Sequence, residues 1–224
     1  MKSLVHSNKW LPLKPRPDGM LLLFYQHFWS TVNHDVTSSI LSWLNSGTIP
    51  SPLNHTFLTL VLKINSPEYA CQFHPISLCN VLYKIYSKVL ANRLKKILPP
   101  IITEHQLAFT KERLIPDNIL VAFETLHSMK KSKGGSYRYM ALNLDMSKAY
   151  SKVKWYYLEG IMRKMGFRER WINLVIGCAK IVTYSVLVNG EPCGVFFPIG
   201  GISQGDPLSP FLFLLYTRRA EWFD

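Results

Sequence analysis

The sequence predicts an α+β fold. Three observations carry the prediction: stretches with apolar side chains at three- and four-residue steps, short β-rich runs bounded by turn residues, and an order of the two without strict strand–helix–strand alternation. With 224 residues and 25.8 kDa, the chain is long enough for one large domain or two small ones around a sizeable core.

Residues 1–19 are punctuated by Pro and Lys and read as extended, ending in the turn signal Pro17-Asp18-Gly19. From Leu21 to Leu44, apolar side chains (Tyr25, Phe28, Val32, Val36, Ile40) recur at helical spacing, and Asn45-Ser46-Gly47 closes the run. Residues 56–63 form a β-rich run, and 73–78 read as extended because Pro75 disfavours helix before it. Asn80 stands where it would cap a helix whose apolar stripe runs through Val81, Ile85, Val89 and Leu94 and which stops at Pro99-Pro100. Thr103 and Gln106 have capping-box spacing. A helix over about 117–129, a strand over 139–145 and a helix ending at Gly166 follow, and then a helix over 169–180. Asn189-Gly190 is the strongest short hairpin signal, with Pro192 marking an edge strand. The Gly-rich stretch 200–210 leads into an apolar helix.

Lys and Arg number 26 against 14 Asp and Glu, a formal charge of +12 with pI ≈ 9.6, the balance of a surface that meets phosphates. The four cysteines lack C-x-x-C spacing and read as reduced core thiols. The longest apolar runs fall far short of the roughly 20 residues of a membrane-spanning helix, and no signal-peptide pattern opens the chain, so a cytoplasmic or nuclear location and no membrane partner are expected.

Asp145 follows the apolar run Tyr139–Leu144, where a carboxylate at the end of a buried strand can serve as a rigid hard-cation ligand. Taken alone, the acid is better explained as a cap of the next turn, with Ser147. Tyr150, an aromatic near a helix start, suits packing more often than recognition. The 200–210 stretch offers close backbone approach and amide donors suited to a base or phosphate, or is an ordinary helix entry. Lys84, Lys88, Arg93, Lys95 and Lys96, with Lys111, Arg113, Lys130, Lys131 and Lys133, make a basic belt suited to nucleic-acid phosphates.

Four ordered blocks then narrow the field: "HPISLCNVLYKIYSKVLANRLKKILPPIITEHQLAF", "RLIPDNILVAFETLH", "YMALNLDMSKAY" and "GGISQGDPLSP". Together they resemble the reverse transcriptase of plant non-LTR (LINE-type) retrotransposons, from about Lys14 to Leu215. The resemblance implies a right-hand polymerase: an extended segment 1–19, fingers and upstream helices over 20–138, palm over 139–166, a fingers insertion with the hairpin over 167–198, and a second part of the palm over 199–224, with the thumb absent. It implies RNA-directed DNA synthesis from an RNA template and DNA primer, or an RNA–DNA hybrid, with deoxynucleoside triphosphates as substrates. By the same resemblance, Asp145 and the Met146 carbonyl bind the catalytic pair of Mg²⁺ ions, Tyr150 excludes a 2′-OH, Gln204 and Gly205 contact the nascent base pair and template, and Arg113 lies close to the nucleotide.

Several positions depart from the family pattern. His74 stands where an Arg is usual, Ser151 where an Asp is usual, and "TKER" replaces a Pro-Gly-Arg turn. The family's second acidic centre, an aromatic-x-Asp-Asp hairpin, has no counterpart, since no Asp-Asp pair occurs in these 224 residues. One carboxylate cannot cage two magnesium ions. The chain is therefore expected to be truncated before that hairpin, inactive alone and poorly soluble, and a non-enzymatic nucleic-acid-binding remnant or a pseudogene product remains the alternative.

Overall fold

The computed structural model describes residues 16–101, 115–131, 140–142, 146 and 148–217. Its helices are α1 (Leu22–His27), α2 (Trp29–Ser46), α3 (Val81–Ile97), α4 (Ile115–Lys131), α5 (Trp155–Lys164), α6 (Glu169–Lys180) and α7 (Ser209–Thr217). Its strands are β1 (His55–Leu62), β2 (Phe73–Cys79), β3 (Thr183–Val188) and β4 (Glu191–Phe196). Helices and strands mix as expected of an α+β chain.

The strands form one sheet in the order β2-β1-β3-β4. β1 pairs antiparallel with β2 and parallel with β3, His55 standing opposite Thr183. The hairpin β3–β4 turns at Asn189 (φ 52°) and Gly190 (φ 92°), both left-handed as a type I′ turn demands. Pro75 and Pro192 occupy the two outer strands, where a missing N–H costs least. The core is built chiefly by helices: Tyr86, Leu90 and Leu94 of α3 share one buried cluster with Leu158 and Met162 of α5, Ile172 and Val175 of α6, and Leu212 and Leu215 of α7. Each large side chain of this kind contributes about 1.5–3 kcal/mol when fully buried.

Helix ends follow local chemistry. Gly47 (φ 82°) closes α2, and after α5 the Gly166 and Phe167 N–H groups donate to the carbonyls of Arg163 and Met162, the pattern of a left-handed Schellman cap. The single helix expected over 21–44 is two, parted at Phe28 (φ −97°, ψ 20°) amid a run of aromatic side chains with low helix propensity. Asn80 precedes α3 as expected but does not cap it. Its amide donates to the Leu53 carbonyl (3.0 Å) and its carbonyl accepts the Asp18 N–H (3.2 Å), tying two upstream segments to the helix start.

Two further expectations change. Met140 to Leu142, the described part of the 139–145 strand, form no strand, and Met140 and Leu142 are 84% and 70% exposed. A strand persists only beside a neighbour that completes its ladder, and the described sheet does not pair with this segment. Of the cysteines, Cys79 and Cys178 are core thiols, whereas Cys71 and Cys193 are exposed. Thr103 and Gln106 lie outside the described residues.

Candidate functional site

Two motifs more than fifty positions apart meet beside β2. Tyr150 lies in a single 3₁₀ turn, Ala149–Lys152, entered through Lys148 in the left-handed region (φ 54°, ψ 42°). Gln204 lies in the loop between β4 and α7. That loop is bonded along its length: Gly201 N–H donates to the Val153 carbonyl (2.8 Å) and Ile202 N–H to the Tyr150 carbonyl (3.0 Å). The Trp155 indole donates to the Gly201 carbonyl (2.6 Å), and Ser77 N–H to the Gln204 carbonyl (3.0 Å).

The glycines make this approach possible. A Cβ on Gly201 (φ +88°) would stand 3.2 Å from the Ser151 Cα and the Tyr150 carbonyl oxygen, and one on Gly205 (φ +102°) 3.3 Å from the Ser77 carbonyl. The close approach expected toward a base or phosphate is here made by chain to chain.

A cavity of about 520 Å³ opens where these segments converge, lined among others by Lys63, Cys71, His74, Lys148, Tyr150 and Gln204. The Gln204 amide nitrogen is 2.8 Å from His74 Nε2 and donates to it, which leaves the imidazole proton on Nδ1. Lys63 donates to the Cys71 carbonyl (3.0 Å). Tyr150 packs on Phe213, ring centres 5.3 Å apart, and burial pushes its hydroxyl pKa up. The cavity thus joins cationic and hydrogen-bonding side chains along one wall to an aromatic floor.

Among the residues singled out from the sequence, Tyr150, Gln204 and His74 share this cavity. Met146 is exposed and in neither helix nor strand, and Asp145 and Arg113 lie outside the described residues. Arg93, Lys95 and Lys96 are exposed along α3. Lys84 differs: burial lowers its pKa, with Cys79 opposing that shift, Arg16 adding to it and Asp206 opposing it least. The sequence gives Lys63 and Lys148 no motif, although one ends the β-rich run 56–63 and the other stands two residues before Tyr150. Among the described residues no three His, Cys, Asp or Glu side chains converge as a metal site would require.

Residues 64–221 match the family described as reverse transcriptase (RNA-dependent DNA polymerase), well over half of the chain. The chain belongs to the reverse transcriptase family. It is 28% identical over 213 residues to the transposon TX1 uncharacterized 149 kDa protein of Xenopus laevis, covering 91% of this chain and 16% of that protein. It is 26% identical over 209 residues to the Pol polyprotein of the retrotransposable element R2DM of Drosophila melanogaster (93% of this chain, 19% of that one). Against the R2 element polyprotein of Popillia japonica, identity is 24% over 205 residues (91% and 27%). The chain thus spans at most 27% of the length of these relatives, and its likeness is to reverse transcriptases of the non-LTR retrotransposon kind. No helix among the described residues is long and apolar enough to cross a membrane.

Proposed function

We propose that the cavity between the Tyr150 turn, β2 and the 200–208 loop receives the incoming deoxynucleoside triphosphate of RNA-directed DNA synthesis. The convergence of Tyr150 and Gln204 with three basic side chains, Lys63, His74 and Lys148, in one cavity carries this reading. Lysine ammonium groups suit a triphosphate as point charges. The Gln204 amide suits a base edge or a sugar hydroxyl, and the Tyr150 ring, fixed on Phe213, suits the face of a ribose, where a 2′-oxygen would collide with it. Exposed Arg93, Lys95 and Lys96 suit the phosphates of a template–primer duplex.

Magnesium enters this reading through Asp145 and the Met146 carbonyl, and would stabilise the charge on attacking and leaving oxygens. Several carboxylates must hold the metal pair, and these 224 residues lack an adjacent Asp-Asp. The same proposal therefore has the isolated chain bind nucleotide without extending a primer. A plant element is the source that the sequence blocks favour, and fingers and palm are the parts of the polymerase to which they correspond.

Calorimetry with dGTP and GTP, which differ only in the 2′-oxygen, tests the reading. The chain is expected to prefer dGTP by about tenfold, ~1.4 kcal/mol, and Tyr150→Ala to bring the two affinities close together. Equal affinities in the unaltered chain, with Lys63→Ala also without effect, would remove the proposal.

A further inference from the structure

Asp206 is a carboxylate in the core, outside the lining of the cavity. It is 7% exposed, and burial raises its pKa against the opposing pull of its hydrogen bonds and of Lys84. One oxygen, Oδ1, accepts the Leu208 N–H at 2.9 Å, and Oδ2 accepts the Tyr83 hydroxyl at 2.6 Å. Tyr83 belongs to α3, at the centre of the core, so Asp206 fastens the loop to a deeply packed helix. Burying a carboxylate is costly even when it is well bonded, and an apolar side chain in such a place is often at least as stabilising. What the acid adds is geometry, since its two oxygens bind two separate parts of the chain.

Two residues before it stands Gln204, with Gly205 between them in a left-handed conformation against the Ser77 carbonyl. The short stretch 203–206 is held at three points: Ser203 Oγ to the Tyr184 hydroxyl of β3 (2.5 Å), the Gln204 carbonyl to Ser77 of β2, and Asp206 to Tyr83 of α3. From this base the Gln204 side chain reaches His74. We infer that Asp206 is a positioning residue: its bond to Tyr83 sets the place of the 204–206 backbone and thereby the Gln204 amide against His74 at the wall of the cavity. The effect on nucleotide binding rests on the reading of the cavity given above, whereas the effect on His74 does not.

Asp206→Ala removes both acceptors. Asp206→Asn keeps them in function: its carbonyl accepts the Leu208 N–H, its amide donates to the Tyr83 oxygen, and the Tyr83 hydroxyl turns to the Cys178 carbonyl, 3.4 Å away. The imidazole ¹⁵N shifts of His74 in the full 224-residue chain report directly on the arrangement. In the unaltered chain and in Asp206→Asn the proton is expected on Nδ1, with Nε2 accepting. In Asp206→Ala that preference is lost. Tyr83→Phe, which removes one hydroxyl, provides the same test should the alanine variant not fold, and should shift the His74 signals in the same direction. Unchanged His74 signals in the folded alanine variant, or in Tyr83→Phe where that variant is the one available, would overturn the inference.

Affinity for dGTP gives the second arm. Asp206→Ala should weaken it by about tenfold in the unaltered background and not further in Gln204→Ala, as expected of a residue that acts through another. An equal loss in both backgrounds identifies general loosening of the fold and overturns the inference. If His74 responds while neither the unaltered chain nor Gln204→Ala distinguishes dGTP from inorganic tripolyphosphate, the positioning role stands and the nucleotide reading falls.

Discussion

The 200–208 loop and helix α4 are opposites. The loop belongs to no regular element until α7 begins, yet Ile202, Ser203, Asp206 and Leu208 are buried and its backbone is bonded to the Tyr150 turn and to β2. Helix α4 has regular structure and a well-formed apolar pattern, yet Ile119, Leu120, Val121, Phe123 and Leu126 are all exposed. Periodicity therefore forms an element without covering it, and rigidity comes from how densely a segment is bonded to its neighbours, regular or not.

The sharpest way to break this contrast is Gly201→Val. A branched side chain at φ +88°, with its Cβ 3.2 Å from two backbone atoms, adds strain to overlap, and a loss of more than about 4 kcal/mol is expected in chemical denaturation. A loss below 1 kcal/mol would mean that the loop yields easily and that its bonds do not define the cavity. Next in size is a matched pair of truncations. Leu158→Ala, at a fully buried position of α5, should cost about 3 kcal/mol. Phe123→Ala on α4, where the residue is 66% exposed, should stay within about 0.5 kcal/mol. Similar losses in both would erase the distinction between the two regions.

The smallest effect concerns His55, whose Nδ1 is 2.7 Å from Thr183 Oγ1 and whose Nε2 is 3.2 Å from Ser185 Oγ, joining β1 to β3. Burial lowers its pKa below the usual 6.5. The unfolded chain therefore takes up the proton first, and the stabilisation present above pH 6.5 is lost as pH falls through the folded value. Thermal unfolding at pH 7.5 and pH 5.5 should show a larger decline for the unaltered chain than for His55→Gln, and parallel declines would exclude the histidine as the cause.

Local signals were legible where the physics is local. Asn189-Gly190 gave its turn, Gly166 its helix end, and the stripe of α3 its buried face. What stayed hidden depends on partners distant in sequence. Asn80 is expected to serve its own helix and instead bonds to segments 27 and 62 residues away, and Lys84, placed with the phosphate-facing cations of α3, is desolvated near Cys79 and the distant Arg16 and Asp206. The cavity was half legible: Tyr150, Gln204 and His74 came from motifs, whereas Lys63 and Lys148 join them only through the path of the chain.

The parallel register of β1 on β3 has a consequence for synthesis. His55 leaves the ribosome 128 residues ahead of Thr183, a delay on the order of ten seconds at usual translation speeds. The hairpin of β1 and β2 is complete long before then, with one flank of β1 bare. The nascent polypeptide accordingly spends that interval with an open template for stray strands, and a chaperone that shields this flank should raise the yield of correctly folded product.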